Sequence, residues 1–229
     1  MANFSDEIID SLSIDCLIFG FKKGELDILL VQHAEGISKG KWALPGGWIR
    51  YNESVKDAAE RLLSDLTGVT NIYMEQLGVF GDVNRYPQKR VITIVYFALV
   101  KPENYKLHAG FTASDTNWFK LSEIPALPYD HNKILKDGIR HLKHKVRHEP
   151  IGFNLLPRKF TLHQLQELYE AVLETKLDKP NFRRKLMKMN LLSPSKEKQK
   201  DVSHRAASLY KFDKKTYDRL REKGFTFEL

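Results

Sequence analysis

Apolar positions along the first hundred residues switch between strand-like runs and helical spacing. SIDCLIFGF (13–21) and LDILLVQ (26–32) are rich in β-branched, aromatic and aliphatic residues. With the turn-forming KKGE between them they predict two strands. Val55, Ala58, Ala59, Leu62 and Leu66 then recur at helical spacing, and Gly68 stands where a C-terminal cap belongs. The run from Val91 to Val100, interrupted by Thr93, predicts a buried strand, and a helix follows from about Asn132 to Arg147. Alternation of this kind predicts a mixed α/β unit.

HEPIGFNLLP (148–157) carries two prolines and a glycine and is the expected linker. Domains are therefore expected at 1–147 and 158–229. The second opens on FTLHQLQELYEAVL, where Thr161 caps the Gln164 amide and Gln164 reaches back, as a capping box requires. Leu162, Leu165, Leu168, Tyr169, Val172 and Leu173 fall on one face. After KLDKP, Asp178 serves as N-cap and Pro180 lies in the first turn of a second helix. Two helices joined by a tight turn outline a helix-turn-helix.

On that second helix Phe182, Leu186 and Met189 form one apolar stripe. Asn181, Arg184 and Lys188 point roughly the other way, with Arg183 and Lys185 on the flanks. Arginine donates two hydrogen bonds to guanine and asparagine pairs with adenine, so this face suits the major groove. The charged stretch 196–205, with Lys196, Lys198, His204 and Arg205, leads into SLYKF (208–212) and resembles a winged-helix wing. Thr161 and Gln164 complete the candidate DNA contacts. An RNA-binding module would instead want exposed aromatic residues for stacking.

Charge sharpens the division. Residues 1–150 hold 19 Lys and Arg against 19 Asp and Glu; residues 151–229 hold 18 against 10. The net charge of +8 thus belongs to the last third, which implies a phosphate-rich partner. With 42% hydrophobic and 29% charged residues, the chain of 229 reads as a globular protein with room for two modest domains. No apolar run is long enough to span a bilayer, and MANFSDEIID lacks an apolar signal core, so a cytoplasmic location is expected. Cys16, the single cysteine, is expected to be a buried structural thiol. His141, His144 and His148 recur at i, i+3 and i+7, but no nearby carboxylate or cysteine completes a metal set. Neither a metal nor a cofactor is therefore expected.

Gly46 to Val69, GGWIRYNESVKDAAERLLSDLTGV, resembles the Nudix signature: glycine, five residues, glutamate, seven residues, then Arg-Glu-apolar-x-Glu-Glu-x-Gly-apolar. Gly47, Glu53, Arg61 and Gly68-Val69 match, and the preceding KWALPGG resembles a common Nudix entry. The three remaining glutamates fall on Leu62, Asp65 and Leu66. In a Nudix hydrolase those carboxylates converge on magnesium, which bridges pyrophosphate oxygens and helps activate water. Leucine supplies no ligand oxygen, so this box reads as catalytically degenerate, and hydrolysis with an appended basic domain is the rival reading.

A degenerate Nudix domain followed by a winged helix resembles the Nudix-related transcriptional regulators. GDVNRYPQKRVITIVYFAL (81–99), LPYDH (127–131), NLLPRKFTLHQLQELYE (154–170) and LDKPNFRRKL (177–186) extend the resemblance over nearly the whole chain. Near the wing, HRAAS (204–208) departs from the family's usual Gly-Arg-Pro-Ala. The resemblance implies an α+β fold, a Nudix-like α/β/α sandwich with a C-terminal winged helix-turn-helix. It also implies a homodimer on a double-stranded operator, controlled by an effector in the old Nudix cleft, with repression as the usual mode. One branch senses ADP-ribose and regulates NAD metabolism; another responds to arabinose and regulates sugar utilisation. Loss of the metal ligands deprives a diphosphate of its counter-ion, so L-arabinose is the expected effector. Its candidate contacts are Trp42, Trp48, Arg50, Asp82, Arg90, Asp130 and His131.

Overall fold

The computed structural model describes residues 8–199 and 206–229. These divide into two compact units, residues 8–22 with 26–140, and residues 23–25 with 141–199 and 206–229.

In the first unit a seven-stranded sheet is organised around the long strand β1 (Ile8–Lys22). The strands β2 (Glu25–His33), β3 (Trp42–Ala43), β4 (Gly46–Arg50), β5 (Glu75–Phe80), β6 (Ile92–Val100) and β7 (Ala113–Lys120) complete it. The main path runs β3-β2-β1-β6-β5, with β4 added to β1 and β7 to β2. β1 and β6 are parallel, in register from Leu12 opposite Ile92 to Gly20 opposite Val100. Alternate side chains of β1 leave on opposite faces of the sheet. Ile14, Cys16 and Ile18 enter the core shared with Ala58, Ala59 and Leu62 of α1 (Val55–Thr67). On the other face, Leu17 lies against Gly138 of α2 (His131–His148), where an added Cβ would come within 1.9 Å of its side chain. The α/β/α layering expected from the sequence follows from this alternation.

α1 begins where the Ser54 hydroxyl accepts from the Asp57 amide at 3.1 Å, and it ends on Gly68 in the left-handed region, φ 73°. Glycine meets that conformation without the steric cost of a Cβ. Cys16 is fully buried, its thiol directed at the Ala59 carbonyl, and burial pushes its pKa up.

In the second unit α3 (Leu162–Leu173) starts with the predicted capping box: the Gln164 amide donates to Thr161 Oγ1, and the Thr161 amide to Gln164 Oε1. α4 (Lys179–Lys188) starts at Asp178, whose carboxylate accepts from the Asn181 amide at 3.0 Å. Between the helices, the Glu170 carboxylate accepts from the Leu177 amide (3.0 Å), Gln166 (2.9 Å) and Lys176 (3.2 Å). The Leu177 amide first, then the other partners, hold its pKa below the usual carboxylate value. A hairpin follows, β8 (Leu192–Lys198) against β9 (Ser208–Phe212), and then a short helix α5 (Lys214–Glu222). Phe160 adds a bridge to Tyr210, extending the hairpin toward the start of α3.

The expected linker is folded here. Pro150–Leu155 forms a 3-10 turn with Phe153 and Leu155 buried. Phe153 stacks on Phe212 at 4.3 Å, and Phe160 and Phe227 pack beside it. Pro150 opens this turn, and at Gly152 an added Cβ would come within 3.0 Å of Leu168.

Candidate effector cavity and nucleic-acid interface

A cavity of about 580 Å³ opens in the first unit between the β1/β4 ladder, the middle of α1 and the loops around residues 34–36, 85–86, 111–112 and 129–131. Two glycines shape it. A Cβ on Gly46 would stand 2.4 Å from both Asp15 Oδ1 and the Ile14 carbonyl, so glycine lets β4 approach β1. A Cβ on Gly47 would stand 2.7 Å from Leu62 Cδ2, so glycine leaves room for the leucine that lines the cavity.

Glu53 lies in the turn between β4 and α1. Its carboxylate accepts from Arg61 Nε (2.7 Å), Arg61 Nη2 (2.6 Å) and the Arg50 amide (2.8 Å). The hydrogen bond from Arg61 is the main reason its pKa falls below the usual carboxylate value, against a smaller opposing push from burial. Arg61 also donates to the Trp48 carbonyl and lies 3.8 Å from Asp65. Leu62 and Leu66 are each only 3% exposed.

Opposite this group is a buried charge network. The Arg85 guanidinium donates to both oxygens of Asp130 (2.8 and 3.0 Å) and to Asp15 at 3.2 Å. His131 Nε2 lies 3.5 Å from Asp15, while the Leu44 amide donates to His131 Nδ1 at 3.1 Å. That amide makes Nδ1 the acceptor, which leaves the ring proton on Nε2, facing the carboxylate. Burial pushes the Asp15 pKa upward, but His131 and Arg85 outweigh it and the net displacement is downward. An aromatic wall completes the cavity: Tyr86 packs on Trp48 (6.1 Å) and on Tyr129 (5.1 Å). Tyr129 holds a left-handed backbone, φ 57°, and its hydroxyl accepts from Ser38.

Of the expected effector contacts, Trp48, Arg50 and His131 line this cavity. Trp42 does not; it packs edge-on against Phe119 of β7 at 4.7 Å. Asp82 is exposed and pairs with Lys133 at 2.5 Å, Arg90 is exposed, and Asp130 is spent on Arg85. Arg85, Tyr86, Phe111, Tyr129 and His33 also line the cavity without having been singled out in the sequence. Nothing local separates Arg85 from Lys89 and Arg90 in NRYPQKR; its buried partners come from β1 and the start of α2.

The second unit presents α4. Phe182 and Leu186 are buried, Phe182 against Tyr169 at 5.6 Å, while Asn181, Arg184, Lys185 and Lys188 are exposed. Arg184 donates to Asn181 Oδ1, so one exposed turn carries a paired Asn and Arg. Arg183 is half-buried. Thr161 is 3% exposed and its hydroxyl is committed to the cap, as is Gln164, so neither offers a free polar group. Lys196 and Lys198 are exposed on β8; His204 and Arg205 lie outside the described residues.

Fold and site together define a protein of two parts, a Nudix domain and a C-terminal winged helix. Residues 11–142 match the NUDIX domain family, and residues 152–212 match the NrtR DNA-binding winged helix domain. The chain is 31% identical over 211 residues, 90% of its length and 84% of the relative's, to the ADPR responsive transcriptional repressor NtrR of Acinetobacter baylyi. It is also similar to Shewanella oneidensis NrtR in complex with a 27mer DNA, with TM-score 0.74, 29% identity, and coverage of 88% of this chain and 93% of that one. The Nudix domain of the same Shewanella protein, in complex with ADP ribose, matches with TM-score 0.53 and 30% identity over 57% of this chain and 87% of that one. The chain belongs to the Nudix-domain regulators that carry the NrtR winged helix.

Proposed function

We propose that this protein is a DNA-binding transcriptional repressor whose Nudix cavity takes ADP-ribose or a closely related nucleotide, and that the nucleotide lowers operator affinity. The observation that carries the reading is the α4 face. Buried Phe182 and Leu186 anchor it, and exposed Asn181, Arg184, Lys185 and Lys188 suit base edges and phosphates in a major groove. Relatives named for DNA binding and an ADPR response support the same reading.

L-arabinose is withdrawn as the effector. The relatives point to ADP-ribose, and the cavity agrees physically. At about 580 Å³ it is sized for a drug-sized ligand rather than a pentose. Its aromatic wall of Trp48, Tyr86 and Tyr129 suits an adenine ring. Arginines line it where a sugar would need only neutral hydrogen-bonding groups. The carboxylate positions held by Leu62 and Leu66 support a sensing role rather than hydrolysis. A homodimer reading a pseudo-palindromic site, with a winged helix on each half, is part of the proposal.

The test is fluorescence anisotropy of a labelled duplex from the protein's own promoter region. ADP-ribose should release it and L-arabinose should not. Arg184→Ala should weaken duplex binding by about 1–3 kcal/mol and leave ADP-ribose binding intact. Release by arabinose alone, or parallel loss of both activities in Arg184→Ala, would overturn the reading.

A further inference from the structure

The Nudix signature implies magnesium, and the donors in this cavity do not fit it. Magnesium is held by carboxylate oxygens together with substrate phosphates. Leu66 is buried away in the core, and Leu62 fills the space beside Gly47 with a methyl group. Glu53 already accepts three hydrogen bonds, two of them from Arg61. Asp65 lies beside the same guanidinium. Among the described residues no group of three or more His, Cys, Asp or Glu is placed to hold a metal ion.

A diphosphate entering the cavity still needs a positive partner, because desolvating an unpaired anion is costly. Three arginines line the cavity, and they are not equivalent. The charge of Arg61 is met by the bidentate Glu53 carboxylate, and that of Arg85 by Asp15 and Asp130. Arg50 differs. Its amide is fixed by Glu53, which sets the end of β4, but its guanidinium acts on that carboxylate only through space and has no hydrogen-bonded or ion-paired carboxylate among the described residues.

We infer that Arg50 is the diphosphate-binding residue of this cavity, and that its guanidinium replaces the metal, so that effector binding is independent of divalent cations. Arginine is suited to this because its planar fork donates two parallel hydrogen bonds to phosphate oxygens. The same substitution separates sensing from hydrolysis. Arg50 offsets part of the phosphates' charge without presenting a metal-activated water to them. The inference rests on the nucleotide reading for the identity of the effector, but its electrostatic core requires only a diphosphate.

Isothermal titration of the full chain tests it, using ADP-ribose and inorganic pyrophosphate, each in magnesium and in EDTA. Wild-type affinity for ADP-ribose should change by less than roughly twofold between the two buffers. Arg50→Gln should weaken it at least about tenfold, the scale of a lost charge-assisted hydrogen bond. Arg50→Lys, which keeps the charge but not the fork, should recover part of the loss, and circular dichroism melts should show both variants folded. Binding that requires magnesium, or Arg50→Gln binding as tightly as wild type, overturns the inference. Metal-free, Arg50-dependent binding of pyrophosphate without binding of ADP-ribose sustains Arg50 and overturns the choice of nucleotide. Binding of neither ligand overturns both.

Discussion

At the scale of single residues, the cavity is built by matching buried charges. Arg85 is 4% exposed and faces two carboxylates from distant parts of the chain, Asp15 and Asp130. Removing one partner from such a group leaves the others buried without compensation. Arg85→Met should therefore cost about 3–5 kcal/mol of stability at neutral pH. The pKa of Asp15 is lowered in the folded state, so its contribution is fully present above the ordinary aspartate value of about 3.9. That contribution is lost as pH falls through the lowered value. The gap between wild type and variant should accordingly narrow only below the ordinary aspartate value, and urea unfolding at pH 7 and at about pH 2 checks it. Equal stabilities at pH 7 would show that the network contributes nothing. This group was only half legible in the sequence. The sequence marks Asp130 and His131 but not Arg85, whose role depends on partners 45 and 70 residues away. Trp42 was misplaced for a related reason: W-A-L-P-G-G fixes where the tryptophan falls in the chain, and packing against Phe119 fixes which way it faces.

Among elements, the most legible were those with a strong local signature. The Thr161 capping box, the Asp178 cap and the Gly68 cap each combine a polar or glycine residue with an apolar period, and the structure has all three. Strands β5 and β7 gave no signal. β5 lies at the end of the main sheet path, and β7 pairs with β2 off that path. Both have few buried positions, EQLGVF and ASDTNWFK, so apolar alternation is weak. α5 was missed likewise, since none of its residues is buried. The segment 148–157 reads as a linker by composition, yet Phe153 stands among Phe160, Phe212 and Phe227. Thr161→Ala isolates the value of one cap. It should destabilise the chain by about 0.5–2 kcal/mol and move the thermal midpoint without changing the ADP-ribose affinity. A loss of operator affinity in a folded Thr161→Ala protein would contradict the assignment of that side chain to the cap alone.

Across the whole molecule, two chemistries sit in separate units. The neutral first 150 residues carry an arginine-lined cavity, and the basic remainder carries a helix with its polar face exposed. Charge segregation was plain in the sequence, whereas the effector's chemistry was not. Two leucines in place of carboxylates point to a neutral ligand, because an arginine without a directly paired carboxylate, Arg50, can be told from Arg61 and Arg85 only once those two are seen to be paired. Among the described residues no helix is long and apolar enough to cross a membrane. On the proposed function, nucleotide and operator bind the same chain with opposed preferences for its states. Such coupling is reciprocal, so each ligand must weaken the other by the same factor. The measurement that tests it most directly is the Kd of ADP-ribose, by titration calorimetry, with and without a saturating operator duplex. Nucleotide binding should be weaker in the presence of DNA, by the factor that saturating ADP-ribose takes from DNA affinity. An ADP-ribose Kd unchanged by the duplex would contradict it.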